Sequence, residues 1–486
     1  VDRDDALALT ERMYSRLDAR RRSITLLEEN YEGKQPLTFA TKEWKAANAA
    51  RYKDFSDNWC GPVVTAEAER LKPIGITNLP KRAAQLLWDG LQANEFDQQF
   101  SQGVITTLTA RRSFVSVWGD GDGRPLVEFE HPADVEIEYD WERPRLRKAA
   151  LKTWVDEDTE YATLYTATEL WKFKRKRQSR TNDLEPQSVQ GRTGSASKGG
   201  WEQREVVGET WPLPNSLGVV PIVELANRHA LRGEPLSEIE GVIPMQNAIN
   251  MLWAYLFLAA DYASMPARVL LRTAPPMMPI LDKVTGKKTG ERPIDMKDLA
   301  EKRLLVASGA DAAVGQWDAA KLDVFTDAIE VAVGHIAAQT RTPPTYLVTK
   351  TGMSNVNGEG LKASEIGINK KAGEFITFTD PALREIARLE ALVMGDKKLA
   401  EQCRLAHFKW ENPEIRSEAQ LADALLKKKK IGYPLEYLLE QDGLSPTDIR
   451  RVMKMVAAEQ EQLIGLGVQG ATENPEGGDD SDGDAS

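Results

Sequence analysis

The hydrophobic period of this chain changes twice, and the order of those changes limits the fold more than any other feature of the sequence. Up to residue 95 apolar side chains recur at helical spacing. Leu7, Met13, Leu17, Ile24 and Leu27 mark a helix over 4–30, Lys42–Lys53 and Val63–Leu71 read as two more, and Lys81–Glu95 as another. From residue 113 the period falls to two. Ser113–Trp118 and Pro125–Glu130 flank Gly119-Asp120-Gly121-Asp122-Gly123, the composition of a hairpin tip. Val135, Ile137 and Tyr139 alternate with Glu136, Glu138 and Asp140, which predicts a strand with one face in water. Strands follow over Ala149–Val155, Tyr161–Tyr165 and Glu169–Lys176, and strand-like segments resume at Trp201 and Val219. Between them, the polar and Gly/Ser-rich residues 178–200 are expected to form a flexible surface loop. From Ser237 the helical period returns, with Ile239, Val242, Ile249, Leu252, Leu256 and Ala260 in one stripe. Helices gathered on either side of a run of strands, rather than alternating with them, predict an α+β fold.

Residues 265–322 are irregular and broken by prolines such as Pro275-Pro276, with Val284–Gly290 as a second hairpin tip. Asp323–Arg341 is an amphipathic helix (Phe325, Ile329, Val333, Ile336) stopped by Pro343-Pro344. A Gly/Asn/Ser-rich loop, Thr349–Gly360, leads into a long helix from Leu361 towards Met394, interrupted near Pro381. Ser417-Glu418-Ala419-Gln420 is a capping box for a helix that runs to Lys430 and stops at Gly432. Ser445-Pro446-Thr447-Asp448 opens another that ends at Gly465. Residues 467–486 hold too little apolar surface to offset chain entropy and are expected to be disordered.

With 486 residues the chain is too long for one ordinary core. Its net charge is −11, but residues 473–486 contribute six acids and no base, so the remainder is only mildly acidic and decides nothing about nucleic acid. Cys60 and Cys403 are far apart, which excludes a disulfide framework and fits a reducing site of synthesis; both are expected to be buried. The N-terminus carries no basic-then-apolar leader pattern. The most apolar run, Met251–Ala260, falls well short of the ~20 residues that span a bilayer. No membrane role is expected.

Chemistry-bearing patterns are scarce. Gly286-Lys287-Lys288-Thr289 resembles a phosphate loop, but that loop needs a glycine where this chain has Leu281. Asp120 and Asp122 lack the further ligands of a calcium hand. His131, His229, His335 and His407 stand alone, and acid pairs such as Asp156 with Asp158 read as solvated turn residues. No nucleophile, base and oxyanion-stabilising set assembles, so neither enzymatic activity, cofactor nor metal is expected. Lys172, Lys174, Arg175, Lys176, Arg177 and Arg180 accompany Trp171 and Phe173, yet alternation puts the two aromatics on one strand face and Lys172 and Lys174 on the other. Lys427–Lys430 end a helix, where cations suit the helix dipole.

One further pattern lies in motif order. Tyr31-Glu32-Gly33-Lys34-Gln35-Pro36-Leu37 is followed by Asn58-Trp59-Cys60, Val63-Val64 and Ala68-Glu69-Arg70-Leu71. Gly233 and Ser237 precede the first amphipathic helix, Pro266 and Arg268 follow it, and Trp410-Glu411-Asn412-Pro413 precede the last helical segments. In this order, from about Tyr14 to Leu463, the chain resembles the portal proteins of long-tailed phages, in the branch common among actinobacterial viruses.

The resemblance implies a structural, ring-forming subunit at one capsid vertex, dodecameric in that family. Double-stranded DNA would pass through the ring without sequence specificity during packaging and ejection. Partners would be the major capsid and scaffold proteins, the large terminase and then a head-tail adaptor. By the same resemblance, 1–232 would form an α/β wing, 233–264 and 323–342 the stem helices, and 265–322 the clip. Residues 343–360 would be the tunnel-loop region, 361–412 the long helix and return to the wing, 413–466 a helical crown, and 467–486 the acidic tail. Thr349, Lys350, Thr351, Gly352, Met353, Ser354 and Asn355 would line the channel. Lys283, Lys287 and Lys288 would form the clip tip that docks terminase and adaptor. Where family members often carry a Ser-x-x-Ala-Leu-like start to the long helix, this chain has Gly358-Glu359-Gly360-Leu361-Lys362, which leaves that start open by several residues. Ala328, Ala332, Gly334 and Ala338 are expected on the exposed side of the second stem helix. On the residues alone, another ring or adaptor component of the tail or connector, or a nucleic-acid enzyme with a helical domain, stays open.

Overall fold

The long amphipathic N-terminal segment forms helix α1 (Arg3–Tyr31), opened by the Asp2 carboxylate, which accepts from the Asp5 N–H at 2.8 Å. The computed structural model describes residues 2–35, 55–176, 200–229, 231, 233–264, 268–271, 277–281, 287–293, 304–306, 313–316, 321–347, 358–412, 418–444 and 446–471. The expected helix over Lys42–Lys53, the loop 178–200 apart from Gly200, and the tail beyond Ala471 lie outside them. By contact the chain divides into two units: one of 1–69, 99–117 and 128–382, the other of 70–98, 118–127 and 383–486.

In the first unit α1 lies on an antiparallel sheet in the order β4 (Val135–Tyr139), β5 (Arg147–Asp156), β6 (Thr159–Thr166), β7 (Glu169–Lys176) and β8 (Glu202–Gln203), with β9 (Leu213–Pro214) also on β7. Strand alternation builds the core between them: Ala6 and Met13 of the helix meet Ala149, Leu151, Ala162, Leu164, Trp171, Phe173 and Trp201. The expected wet face of β4 is instead covered. Glu136 and Glu138 are buried because Arg12, Arg16 and Arg20 of α1 reach down onto them. The opposite face of the sheet, with Val135, Ile137 and Ala150, packs on Phe114 of β2 (Arg112–Gly119) and Ile222 of β10 (Ile222–Ala226). Strand β2 lies between β10 and β3 (Pro125–Glu130). At the expected hairpin tip, the Asp120 carboxylate accepts from the N–H groups of Asp122 and Arg124.

Three helices link these sheets to the rest: α2 (Cys60–Ala68), α3 (Lys81–Ala93) and α4 (Phe96–Ala110). The last is absent from the sequence-based expectations, although Phe96, Phe100, Val104 and Leu108 recur every fourth residue and are all buried. Helices α5 (Ile243–Ser264) and α6 (Asp323–Thr340) pack on each other. The 265–322 segment between them carries strands β11 (Arg268–Leu271), β12 (Met277–Leu281), β13 (Lys288–Pro293), β14 (Leu304–Val306) and β15 (Ala313–Gln316). Strands β12 and β13 form the expected hairpin, and β11 pairs with both β14 and β15. On α6, Ala328, Gly334 and Ala338 are exposed as expected, but Ala332 is buried, because it falls on the same side as Ile329, Val333 and Ile336.

After the short α7 (Pro344–Leu347), α8 (Gly358–Val393) starts inside the expected loop and runs unbroken through Pro381. The break does not occur because Thr377, whose carbonyl loses its partner, and Pro381 both lie on the exposed side, where water replaces the missing bond. The second unit pairs β1 (Pro73–Thr77) with β16 (His407–Trp410) and includes α9 (Lys397–Gln402), α10 (Glu418–Ile431), α11 (Leu435–Gln441) and α12 (Pro446–Ala471). Gly432 ends α10 in the left-handed region, φ 103°, as its position suggests. Helix α12 continues past the expected stop at Gly465 to Ala471, through Gly467 and Gly470, since a glycine weakens a helix without by itself ending it.

Candidate functional site

Two of the motifs that carry the resemblance, those of Gln35 and of Asn58-Trp59, come together against α5. Gln35, just past α1, sits among the α2 approach and α5: its amide donates to the Asn30 carbonyl at 2.9 Å and to Asn58 Oδ1 at 3.1 Å, and accepts from Asn250 Nδ2 at 2.6 Å. Asn250 Oδ1 in turn accepts from the Asp57 N–H at 3.0 Å, and Gln246 Oε1 from the Trp59 N–H at 2.7 Å. Trp253 and Trp59 both donate their indole N–H to the Asp57 carboxylate, at 2.7 and 3.0 Å. Gly33, with φ 79°, lets the chain turn against Asn58, where a Cβ would meet the amide at 3.3 Å. These residues therefore satisfy one another around the start of α5. They make a joint between three segments of the chain.

A second cluster lies where both helices of the pair meet α8. Lys371 is buried between the Glu67 and Glu238 carboxylates, at 2.8 and 2.6 Å. Glu238, just before α5, also takes Arg228 at 2.5 Å, and Arg228 reaches Glu374 at 3.2 Å. Glu374 then holds Arg341, the left-handed cap of α6, at 3.0 Å. Helix α8 comes this close because Gly367 faces Arg341, whose Cβ a substituent there would meet at 3.4 Å. Burial pushes the Glu67 carboxyl above its usual range, with Lys371 opposing. Burial acts on Glu238 too, but Lys371 and Arg228 hold it below. One ammonium compensates two carboxylates, so Glu67 is the group that takes a proton first.

The expected channel residues Thr349, Lys350, Thr351, Gly352, Met353, Ser354 and Asn355 lie outside the described residues, as does Lys283. Lys287 and Lys288 are exposed beside the β12–β13 tip, where Lys288 pairs with Glu291. Two of the histidines have packing or ionic partners: His131 pairs with Glu28 and His229 packs on Phe378 at 5.4 Å. Both cysteines are buried. Among the described residues no group of three or more His, Cys, Asp or Glu side chains is placed to hold a metal ion. No described helix is long and apolar enough to cross a membrane. Two cations of the basic strand have partners: Lys172 pairs with Glu209, and Arg175 pairs with Glu160 at 2.6 Å and stacks on Tyr14 and Trp201 at 4.1 Å. Lys174 and Lys176 are exposed, and Arg177 and Arg180 lie outside the described residues. Sequence reasoning missed the Lys371 cluster. Its members are spread over five segments, and their one visible sign is a lysine on the apolar side of the long helix.

The sequence profile described as phage portal protein, SPP1 Gp6-like, matches residues 11–461. The chain belongs to this portal family. The portal protein of Mycobacterium phage L5 is 25% identical over 403 residues, spanning 80% of this chain and 75% of that one. The portal protein of Mycobacterium phage D29 is 25% identical over 406 residues, with the same coverage. Among solved structures, a chain from the virion of a native gene transfer agent particle aligns with a TM-score of 0.43 and 11% identity, covering 82% of this chain and 92% of its own. A chain from the neck of the native particle, computed with C12 symmetry, gives 0.42 and 12%, covering 85% and 94%. Within the first unit, the first cluster ties the end of α1 and the approach to α2 onto α5, and the second ties α2, the approach to α5 and the end of α6 onto α8.

Proposed function

We propose that this chain is the subunit of a dodecameric ring at one vertex of a phage capsid, the conduit through which double-stranded DNA is packaged and ejected. The observation that carries the reading is the portal-family match across residues 11–461, which takes in the paired helices and the excursion between them. In this reading α5 and α6 are the stem and 265–322 the clip, with Lys283, Lys287 and Lys288 offered to the large terminase and later to a head-tail adaptor. The α/β portion forms the wing, 413–466 the crown that faces the capsid interior, and Thr349–Asn355 the narrow point of the channel. Major capsid and scaffold proteins surround the ring, and the subunit catalyses nothing itself. The exposed side of α6, with Val324, Ala328, Val331 and Ala338, meets the neighbouring subunit, since a closed ring joins a patch of each subunit to the next.

Native mass spectrometry and averaged electron images of the purified chain test the ring; a monomer at micromolar concentration overturns it. Replacing Lys350–Met353 with a Gly/Ser linker tests the channel assignment. Rings form, and virions package or retain DNA poorly; normal yields of full-length DNA move the constriction elsewhere.

A further inference from the structure

Strand β5 ends in two turns of opposite character. At its start, the turn from β4 presents Trp141, which is 93% exposed, beside the half-exposed Leu146 and the exposed Arg143, Arg145 and Lys148, with Glu142 as the one exposed acid among them. The turn is not loose. The Asp140 carboxylate accepts from the N–H groups of Glu142 and Arg143, both at 2.9 Å, which together with the nearby Arg143 and Lys148 holds its carboxyl below the usual range. The Asp140 N–H donates to the Leu146 carbonyl at 2.9 Å. Both feet are anchored: Tyr139 donates to Glu224 at 2.7 Å, and Arg147 to the Val220 carbonyl at 3.2 Å. At the other end of β5, the turn into β6 exposes Asp156, Glu157 and Asp158 next to Val155, itself 42% exposed. Lys176 lies opposite Thr159 there. Among the described residues neither the three cations of the first turn nor the three acids of the second form a salt bridge.

We propose that these turns are the two halves of one contact between neighbouring copies of this chain. Trp141, Arg143, Arg145 and Lys148 of one copy dock on Val155, Asp156, Glu157 and Asp158 of the next. The proposal rests on the ring reading. A closed ring joins two different patches of each subunit head to tail, so the patches must be complementary and must lie on opposite sides of it. The turns meet both conditions: the ten residues of β5 hold them roughly 30 Å apart at ~3.4 Å per residue. A rigidly held, solvent-facing tryptophan loses little freedom on docking and is the side chain most often found anchoring an interface. Arginines around it steer towards the acidic turn.

The test pairs Arg143→Cys with Asp158→Cys in one chain. Cys60 and Cys403 are buried and do not compete. Under mild oxidation the double variant gives a ladder of covalent multimers and each single variant gives none. Trp141→Ala raises the protein concentration at half assembly by about tenfold or more, with the melting temperature of the subunit unchanged. Arg143→Glu weakens assembly and Asp158→Lys restores it in the same chain. Rings that form normally in Trp141→Ala, together with no ladder from the Arg143→Cys/Asp158→Cys double variant, overturn this contact and leave the ring standing. A wild-type chain that stays monomeric overturns both. Loss of duplex-DNA binding by the ring, with assembly intact, would assign the Trp141 turn to nucleic acid instead.

Discussion

Lys371 is 1% exposed and faces two carboxylates, so the cost of removing it differs from the cost of removing the whole cluster. Lys371→Met leaves Glu67 and Glu238 buried without their shared cation and destabilises the subunit by about 3–5 kcal/mol. Adding Glu67→Gln recovers a large part of that loss. Denaturant titration of the two variants checks it, and equal loss in both would mean the carboxylates are not what Lys371 compensates. Glu390 presents the opposite case. It is fully buried, has no hydrogen-bond partner among the described residues, and packs its carboxyl against the backbone of α3 at Gly90. Burial pushes its carboxyl up to about 9, so the folded chain holds a proton that the unfolded chain releases near 4.5. Stability from this group is fully present below that lower value and is lost as pH rises towards 9, by roughly 1.4 kcal/mol per pH unit. Glu390→Gln, which cannot ionise, flattens the melting-temperature profile over that window and is more stable than wild type at its alkaline end.

At the scale of elements, α1 and β4 show how a helix changes what a strand pattern means. Alternation correctly separated Val135 and Ile137 from Glu136 and Glu138, but it carries no information on what covers the acidic face. Arg20 makes it a buried polar layer: it pairs with Glu136 at 2.6 Å and donates to the carbonyls of Pro132 and Val135 at 2.9 and 2.6 Å. Arg20→Ala therefore costs about 2 kcal/mol, since it leaves the buried Glu136 with Arg16 alone, at 3.2 Å, and removes a donor from two carbonyls. Arg12, more than half exposed, also pairs with a β4 acid, yet Arg12→Ala costs under about 1 kcal/mol. Thermal melts of the two variants decide the contrast. Helix α8 teaches the same lesson from the other side. A proline within a helical pattern predicts a break, and the solvent exposure of Thr377 and Pro381 removes the reason for one.

For the whole molecule, the open side of α6 separates subunit stability from assembly. Val331 is 61% exposed, so Val331→Glu changes the melting of the isolated subunit by within about 0.5 kcal/mol. In a ring the same charge enters a subunit interface, and native mass spectrometry should record a shift towards small oligomers. An unchanged ring would put that face in the solvent. The fold class, most elements, the paired helices with their excursion, and the family are legible in the sequence, because each is written in local periodicity, capping residues or motif order. The sequence also placed Cys60 and Cys403 inside, and put Trp171 and Phe173 on one strand face, which packing against α1 makes the buried one. It could not show why Gln35, Asn58, Gln246 and Asn250 matter, nor that Glu67, Glu238 and Lys371 share one buried site. Polar residues look alike in sequence whether water or another side chain satisfies them. Which of the two it is depends on segments that only the tertiary structure brings together.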